Sequence, residues 1–390
     1  MSLITGKPVY LDYNATTPIA SRVREAMLPC LDELFGNPSS SHSYGREARV
    51  VVDRARGQVA ALLNCSPAEI IFTSGGTESN NHAIKGIAWG RRSQGRHIIT
   101  SRIEHPAVIE VCRYLETLGF TISYLHVNSD GLVDPATVAA AITSATSLIT
   151  IMHANNETGA IQPVEEIAAL ARRHGITLHT DAAQSIGKIP ADVRTLNVDL
   201  LSIAGHKLYA PKGIGALYIR AGVTLEKFMH GAGHESGFRA GTENVAQIVA
   251  LGAACEMANA DTDATYHHLR RMRDRLLEGL RSRLERRPGL RLNTPIQSAL
   301  PNTLNLSFNG VRATDLMTRL EKEIACSAGS ACHADSFSLS PVLSAMGIPE
   351  QDILGALRFS TGRMTTAAEI DTAIACITRA VEEMNGMDAG

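Results

Sequence analysis

The chain has 390 residues, of which 44% are apolar and 19% charged, with 32 glycines, 15 prolines and a formal net charge of −2. That length suffices for two or three domains and a large core, and the composition excludes a disulfide-stapled mini-protein, a collagen-like repeat and a long disordered tract. Near-neutral charge and 4% aromatic residues argue against a nucleic-acid surface built on net charge or base stacking, leaving a small anionic ligand at one local site open.

Seven cysteines, at 30, 65, 112, 255, 326, 332 and 376, include no Cys-x-x-Cys pair, which disfavours a disulfide framework or a zinc ribbon. The first eight residues show no charged stretch followed by an apolar one, and the longest apolar run, 245–259, is broken by Gln247 and Glu256. No membrane span is expected, and the simplest location is the cytoplasm.

From residue 60 to 220, short apolar runs alternate with segments of helical period. Strands are predicted at 70–72, 97–100, 121–125, 148–152, 176–179, 200–203 and 215–219. A helix is predicted at 163–174, where Val164, Ile167, Ala168 and Ala171 share one face. The alternation predicts an α/β fold with a mostly parallel seven-stranded sheet covered by helices on both sides. Beyond residue 245 the texture changes. A long helix is predicted at 264–287, carrying Leu269, Met272, Leu276, Leu277, Leu280 and Leu284 and closed by Pro288-Gly289. Nine arginines between 270 and 291 read as a solvated, salt-bridged face. A strand at 303–308, a helix at 314–322, a Ser/Gly/Ala segment at 327–340 and a strand at 356–360 complete a smaller α+β domain. The expected division is 15–260 for the large domain, with 1–14 and 261–390 forming the small one.

Three constellations carry chemistry. In the first, Phe72-Thr73-Ser74-Gly75-Gly76-Thr77-Glu78-Ser79 runs from a strand through two glycines into a helix. Bare amides at a helix start suit a phosphate, although the same residues also make a capping box. In the second, a strand ends in Asp181-Ala182-Ala183-Gln184, and the next one ends in Gly205-His206-Lys207. Of only seven lysines, Lys207 alone closes a buried-looking strand. There it is either a desolvated amine competent for Schiff-base chemistry or a lysine that snorkels outward. An acid for a pyridinium nitrogen, an amine and a phosphate cradle are together the parts that pyridoxal phosphate chemistry requires. His105, after the strand at 97–100, is placed to stack on a ring or shuttle protons. The third constellation is the segment 325–336, whose small residues read as a loop. In it Cys332, beside His333 and Asp335, is the activatable thiol, while Cys326 reads as a buried small hydrophobe.

These residues resemble the successive motifs of the cysteine desulfurases, of the nitrogen-fixation and iron-sulfur-assembly type within the class-V aminotransferase group. The motifs are Leu11 to Pro18, Gly36 to Ser40, Thr73 to Ser79, Glu104-His105, Asn155 to Gly159, His179 to Gln184, Gly205 to Lys207, Arg239 to Asn244 and Ser327 to Cys332, in order over nearly the whole chain. The resemblance implies a fold-type-I pyridoxal 5′-phosphate transferase, a homodimer, and conversion of L-cysteine to L-alanine with a persulfide on Cys332 bound for an acceptor or scaffold protein. It also implies roles for individual residues. Lys207 would hold the cofactor as a Schiff base, Asp181 would pair with the ring nitrogen, Gln184 would bond the ring hydroxyl, and His105 would stack on the ring. Gly76, Thr77 and His206 would bind the phosphate, with Thr242 reaching in from the partner subunit. Asn156 would line the pocket and Arg358 would grip the substrate carboxylate. The chain departs from the pattern at Ala204, where a phosphate-binding serine is expected. A selenocysteine lyase and a non-catalytic sulfur-carrier scaffold are the alternatives. No metal or nucleic acid is expected.

Overall fold

A computed structural model describes residues 7–284, 289–328 and 339–387. Its seven-stranded sheet runs in the order β2 (Ile70–Thr73), β8 (Gly215–Ile219), β7 (Leu200–Ala204), β6 (Thr177–Asp181), β5 (Thr146–Thr150), β3 (His97–Ser101), β4 (Thr121–Leu125). All pairs are parallel except those of β8, which lies antiparallel to both its neighbours. Period-two alternation divides the strand residues between two cores. Ile70, Phe72, Ile99, Ile149 and Leu201 enter one, which is covered by the helices Ser43–Leu63, Val164–Arg173 and Val245–Ala260. Ile71, Ile98, Leu148, Leu200 and Leu217 enter the other, beneath the helices Gly76–Gly90 and Pro106–Thr117. A slip of one residue would exchange the two faces and mismatch the side-chain volumes of both cores, a cost in packing rather than exposure.

A third core gathers Leu276 and Leu280 of the helix Thr262–Leu284, Ile370, Ile374 and Ile377 of the helix Ala367–Met387, and Leu11 from the start of the chain. It also takes Leu304, Leu306, Leu357 and Phe359, which belong to a three-stranded antiparallel sheet in the order β12 (Ala356–Ser360), β10 (Thr303–Phe308), β9 (Leu290–Leu292). Phe308 meets Phe359 edge to face at 6.4 Å. The short strand β1 (Val9–Tyr10) pairs in parallel with β11 (Ile324–Ala325). A fourth, smaller cluster packs Ile103 and Met152 of the large-sheet side against Val342, Leu343 and Met346.

Several expectations shift. The strand expected at 148–152 lies at Thr146–Thr150, starting where Thr146 pairs with His97; beyond its end the buried Glu104 carboxyl takes the Met152 amide at 3.0 Å. The helix expected at 314–322 is Ala313–Leu320. The long helix is described at Thr262–Leu284; the expected end at 285–288 lies outside the described residues. Its arginine face is not wholly solvated: Arg273 is buried, with Nη1 donating to the Leu300 carbonyl at 3.1 Å and Nη2 to Asp274 at 2.6 Å. Among the described residues no helix is long and apolar enough to cross a membrane.

Candidate active site

The order β4-β3-β5-β6-β7 reverses direction between β3 and β5, and a crevice at the carboxyl ends of the strands is the expected ligand position. A cavity of about 270 Å³ lies there, lined by Gly76, Thr77, Asn80, His105, Asn156, Asp181, Gln184, Ala204, His206 and Lys207 among others. The side chains arrive from several strand ends. His105 follows β3, Asn156 follows β5, Asp181 is the last residue of β6, and Lys207 closes the short turn Gly205–Lys207 after β7.

Asp181 is held by two donors, Asn80 Nδ2 at 2.6 Å and the Ala183 amide at 2.9 Å. Lys207 donates to the Asn14 carbonyl. Burial, then the Arg358 charge, brings its pKa down to about 8, with Asp12 and Asp181 opposing. Lys207 is half-buried and lines the cavity, a placement that suits an amine competent for Schiff-base chemistry. Burial also lowers the pKa of His105, and His105 Nδ1 accepts the Ala107 amide at 3.1 Å. A neutral His105 then carries its hydrogen on Nε2. His206 falls to about 4 through burial and the neighbouring Lys207, Lys212 and His105; its Nδ1 lies 3.2 Å from Thr16 Oγ1.

The helix Gly76–Gly90 starts without a side-chain cap on Gly75, so the first-turn amides at Gly76 and Thr77 have no intrahelical partner. Glu78 does not close a capping box onto Gly75. It accepts the Ser74 amide at 2.8 Å and pairs with Arg239 at 2.9 Å. A Cβ on Gly76 would lie 3.2 Å from the Ala204 methyl, a tight contact. A carboxylate, a low-pKa amine, an uncapped helix start and the buried, unpartnered Asn80 Oδ1 facing one cavity suit a small ring bearing a phosphate.

Not every expected residue enters the cavity. Arg358 stands beside it, donating to Asp12 Oδ1 at 2.7 Å and to the Asn156 carbonyl at 3.1 Å, with its buried Nε unpartnered. Thr242 is exposed, away from the cavity of its own chain. Cys332 lies outside the described residues. Cys326 is half-buried against the small core, whereas Cys30, Cys112, Cys255 and Cys376 are buried thiols whose pKa burial raises, which makes them poor nucleophiles.

Four site residues have no role expected from sequence. Asn80 supports Asp181 and stands one helical turn after Gly76. Glu104, next to His105 in the chain, is buried and bonds Ser101 and the Met152 amide. Lys188 lies four residues after Gln184 and bonds it. Asn14 belongs to a quoted motif, yet its role appears only once Lys188, Asn302, Thr303 and Lys207 are seen to converge on it.

The aminotransferase class-V family model matches residues 9–372. The cysteine desulfurase IscS of Dictyoglomus turgidum is 45% identical over 379 residues, covering 97% of this chain and 95% of that protein. Among solved structures, a NifS-like protein superposes with a TM-score of 0.90 at 37% identity, covering 97% of this chain and 100% of the other. SspA in complex with cysteine superposes at 0.79 with 38% identity, covering 92% and 99%. The chain thus belongs to the class-V aminotransferase family and, within it, to the cysteine desulfurases.

Proposed function

We propose that this pyridoxal 5′-phosphate enzyme removes sulfur from L-cysteine, releasing L-alanine and leaving a persulfide on Cys332 for an acceptor protein of iron-sulfur assembly. The observation that carries the residue assignment is the convergence of the Lys207 amine and the Asp181 carboxylate on one cavity beside an uncapped helix start. Lys207 would bind the cofactor, Asp181 would pair with its ring nitrogen, Gln184 with its ring oxygen, and the amides of Gly76 and Thr77 with His206 would hold the phosphate. Bound there, the cofactor withdraws electrons from the bonds at the substrate Cα.

The remaining work falls to the chain's own groups. Lys207, with a pKa near 8, both accepts and returns a proton at Cα around neutral pH. His105, neutral and carrying its hydrogen on Nε2, would stack on the cofactor ring. Arg358 and Asn156 would orient the substrate carboxylate. The Cys332 thiolate then attacks the substrate sulfur, the substrate carbon–sulfur bond breaks, and its electron pair stays with the carbon fragment, which is protonated to alanine.

We divide the chain into a large domain, 15–260, and a small one, 1–14 with 261–390, the cavity lying beside their boundary. Thr242, exposed here, is assigned to the cavity of a second copy in a homodimer, and the enzyme to the cytoplasm. The test is incubation of the purified protein with L-cysteine, reading alanine and the mass of the peptide bearing Cys332. Lys207→Ala should lose both alanine production and the visible cofactor band, and Cys332→Ser should keep the band and lose the persulfide. Persistence of the band in Lys207→Ala, or loss of the persulfide in Cys326→Ser instead, overturns the assignment.

A further inference from the structure

One buried titratable group has no part in the chemistry above. The Lys188 side chain is fully enclosed, and its partners are amide oxygens rather than carboxylates: Nζ lies 3.2 Å from Gln184 Oε1 and 3.2 Å from Asn14 Oδ1. Burial, reinforced by the charges of Lys207 and Arg358, drives its pKa well below the usual lysine value. An amine so placed is costly to bury compared with an apolar side chain of similar volume, and what it contributes in return is a pair of directed N–H donors.

Those donors act on side chains that can be turned end for end. With Gln184 Oε1 taken by Lys188, Gln184 Nε2 donates to the Asn14 carbonyl at 3.0 Å and has one further hydrogen, on a residue that lines the cavity. Asn14 is fixed in the same way. Its Oδ1 accepts from Lys188 and from Asn302 at 2.9 Å, and its Nδ2 donates to Thr303 Oγ1 at 2.8 Å. A carboxamide whose oxygen has lost its donor gains little from keeping that oxygen inward.

We propose that Lys188 is a positioning residue, which locks the carboxamides of Gln184 and Asn14 so that Gln184 presents an N–H donor, and never its carbonyl oxygen, to the electron-rich ring oxygen of the cofactor. The proposal rests on the cofactor reading of the cavity given above. A donor at that oxygen favours the form in which the oxygen carries more negative charge, which is the high-pH form. Its loss therefore moves the pH midpoint of the cofactor's visible band upward.

The experiment is a spectrophotometric pH titration of the holoenzyme, with kcat and KM for L-cysteine, in the wild type, Lys188→Met, Gln184→Ala and the double variant. Lys188→Met should raise the midpoint by roughly one pH unit and lower kcat about tenfold with KM little changed. In the Gln184→Ala background the same substitution should add nothing to the midpoint. If Lys188→Met does not fold, Lys188→Gln, whose shorter chain keeps only one of the two contacts, takes its place, with a smaller shift in the same direction. An unmoved midpoint, or an equal shift with Gln184 absent, overturns the proposal. A wild-type protein without any pH-dependent visible band overturns the cofactor reading instead.

Discussion

Glu104 and His105 are adjacent, and burial pushes both toward neutrality. The Glu104 carboxyl, raised from 4.5 to about 8 chiefly by burial, is held by the Ser101 hydroxyl at 2.6 Å and by the Met152 amide. An unfolded glutamate ionises near 4.5, so between pH 4.5 and 8 the folded chain keeps a proton that the unfolded chain has released. Stability then falls with rising pH across that window, by about 1.4 kcal/mol per unit. Glu104→Gln removes this slope. Its melting temperature relative to the wild type should climb steadily from pH 5 to pH 8, and a constant offset between the two proteins would mean that Glu104 is ionised in the fold. At this scale, the residues legible in the sequence are those whose position alone is informative. Asp181 and Lys207 stand at strand ends, and strand ends are where ligands of a parallel sheet collect. Lys188 and Glu104 gain their meaning from neighbours brought from elsewhere, Asn14 in the first case and the Met152 amide in the second, and no spacing announces them.

Among the elements, the turn between β2 and the helix Gly76–Gly90 is the most constrained. Gly75 adopts φ 152° and ψ −178°, a region essentially reserved for glycine. On the facing strand a Cβ on Gly215 would come within 2.7 Å of the Gly75 Cα, so two glycines permit one close approach. Gly75→Ala would meet no neighbouring atom within 4 Å, and its cost of about 1–3 kcal/mol is backbone strain. The expected outcome, read by equilibrium dialysis, is about tenfold weaker binding of pyridoxal phosphate, because roughly 1.4 kcal/mol of displacement at the first-turn amides is one decade in affinity. Unchanged affinity would show that this helix start does not hold the phosphate. The strands of the large sheet are legible because buried parallel strands read as short apolar runs. The helix Ser43–Leu63 is not, since its Val50-Val51-Val52 run is β-branched and suits a strand equally well. Packing decides it: Ala55 lies against the helix Val245–Ala260 where Gly252 leaves room, a Cβ there falling 2.7 Å from the Ala55 Cα.

At the scale of the whole molecule, Asn14 joins the two halves. Its side chain bonds Lys188 and the Asn156 carbonyl on the large-sheet side, and Asn302 and Thr303 Oγ1 beside the small sheet. At about 1 kcal/mol net per hydrogen bond, loss of these four in Asn14→Ala should cost roughly 4 kcal/mol. The loss falls on the coupling between the halves. Trp89, the only tryptophan, sits in the helix Gly76–Gly90 and reports the large side alone, whereas circular dichroism reports both. Denaturant midpoints from the two probes should coincide in the wild type and separate in Asn14→Ala; coincident midpoints in the variant would confine Asn14 to local bonding. The change of texture near residue 245 is visible in the sequence. The return of the first residues to pack with the last third is part of the expected division of the chain, but its pairing is not legible, since a two-residue strand has no periodicity to read.

That return bears on how the protein is made. Val9 pairs with Ile324, Leu11 enters a core built from residues 272–381, and the Asn14 carbonyl receives Lys207. During synthesis from the amino end, the large sheet has all seven of its strands once residue 219 has emerged, while Leu11 still lacks the core it will occupy. The opening segment must wait in solvent for more than a hundred further residues, and such long-range closure is slow. The cavity, with Asn14 as one of its supports, is therefore finished last, so cofactor capture marks the completion of the chain rather than the folding of the sheet.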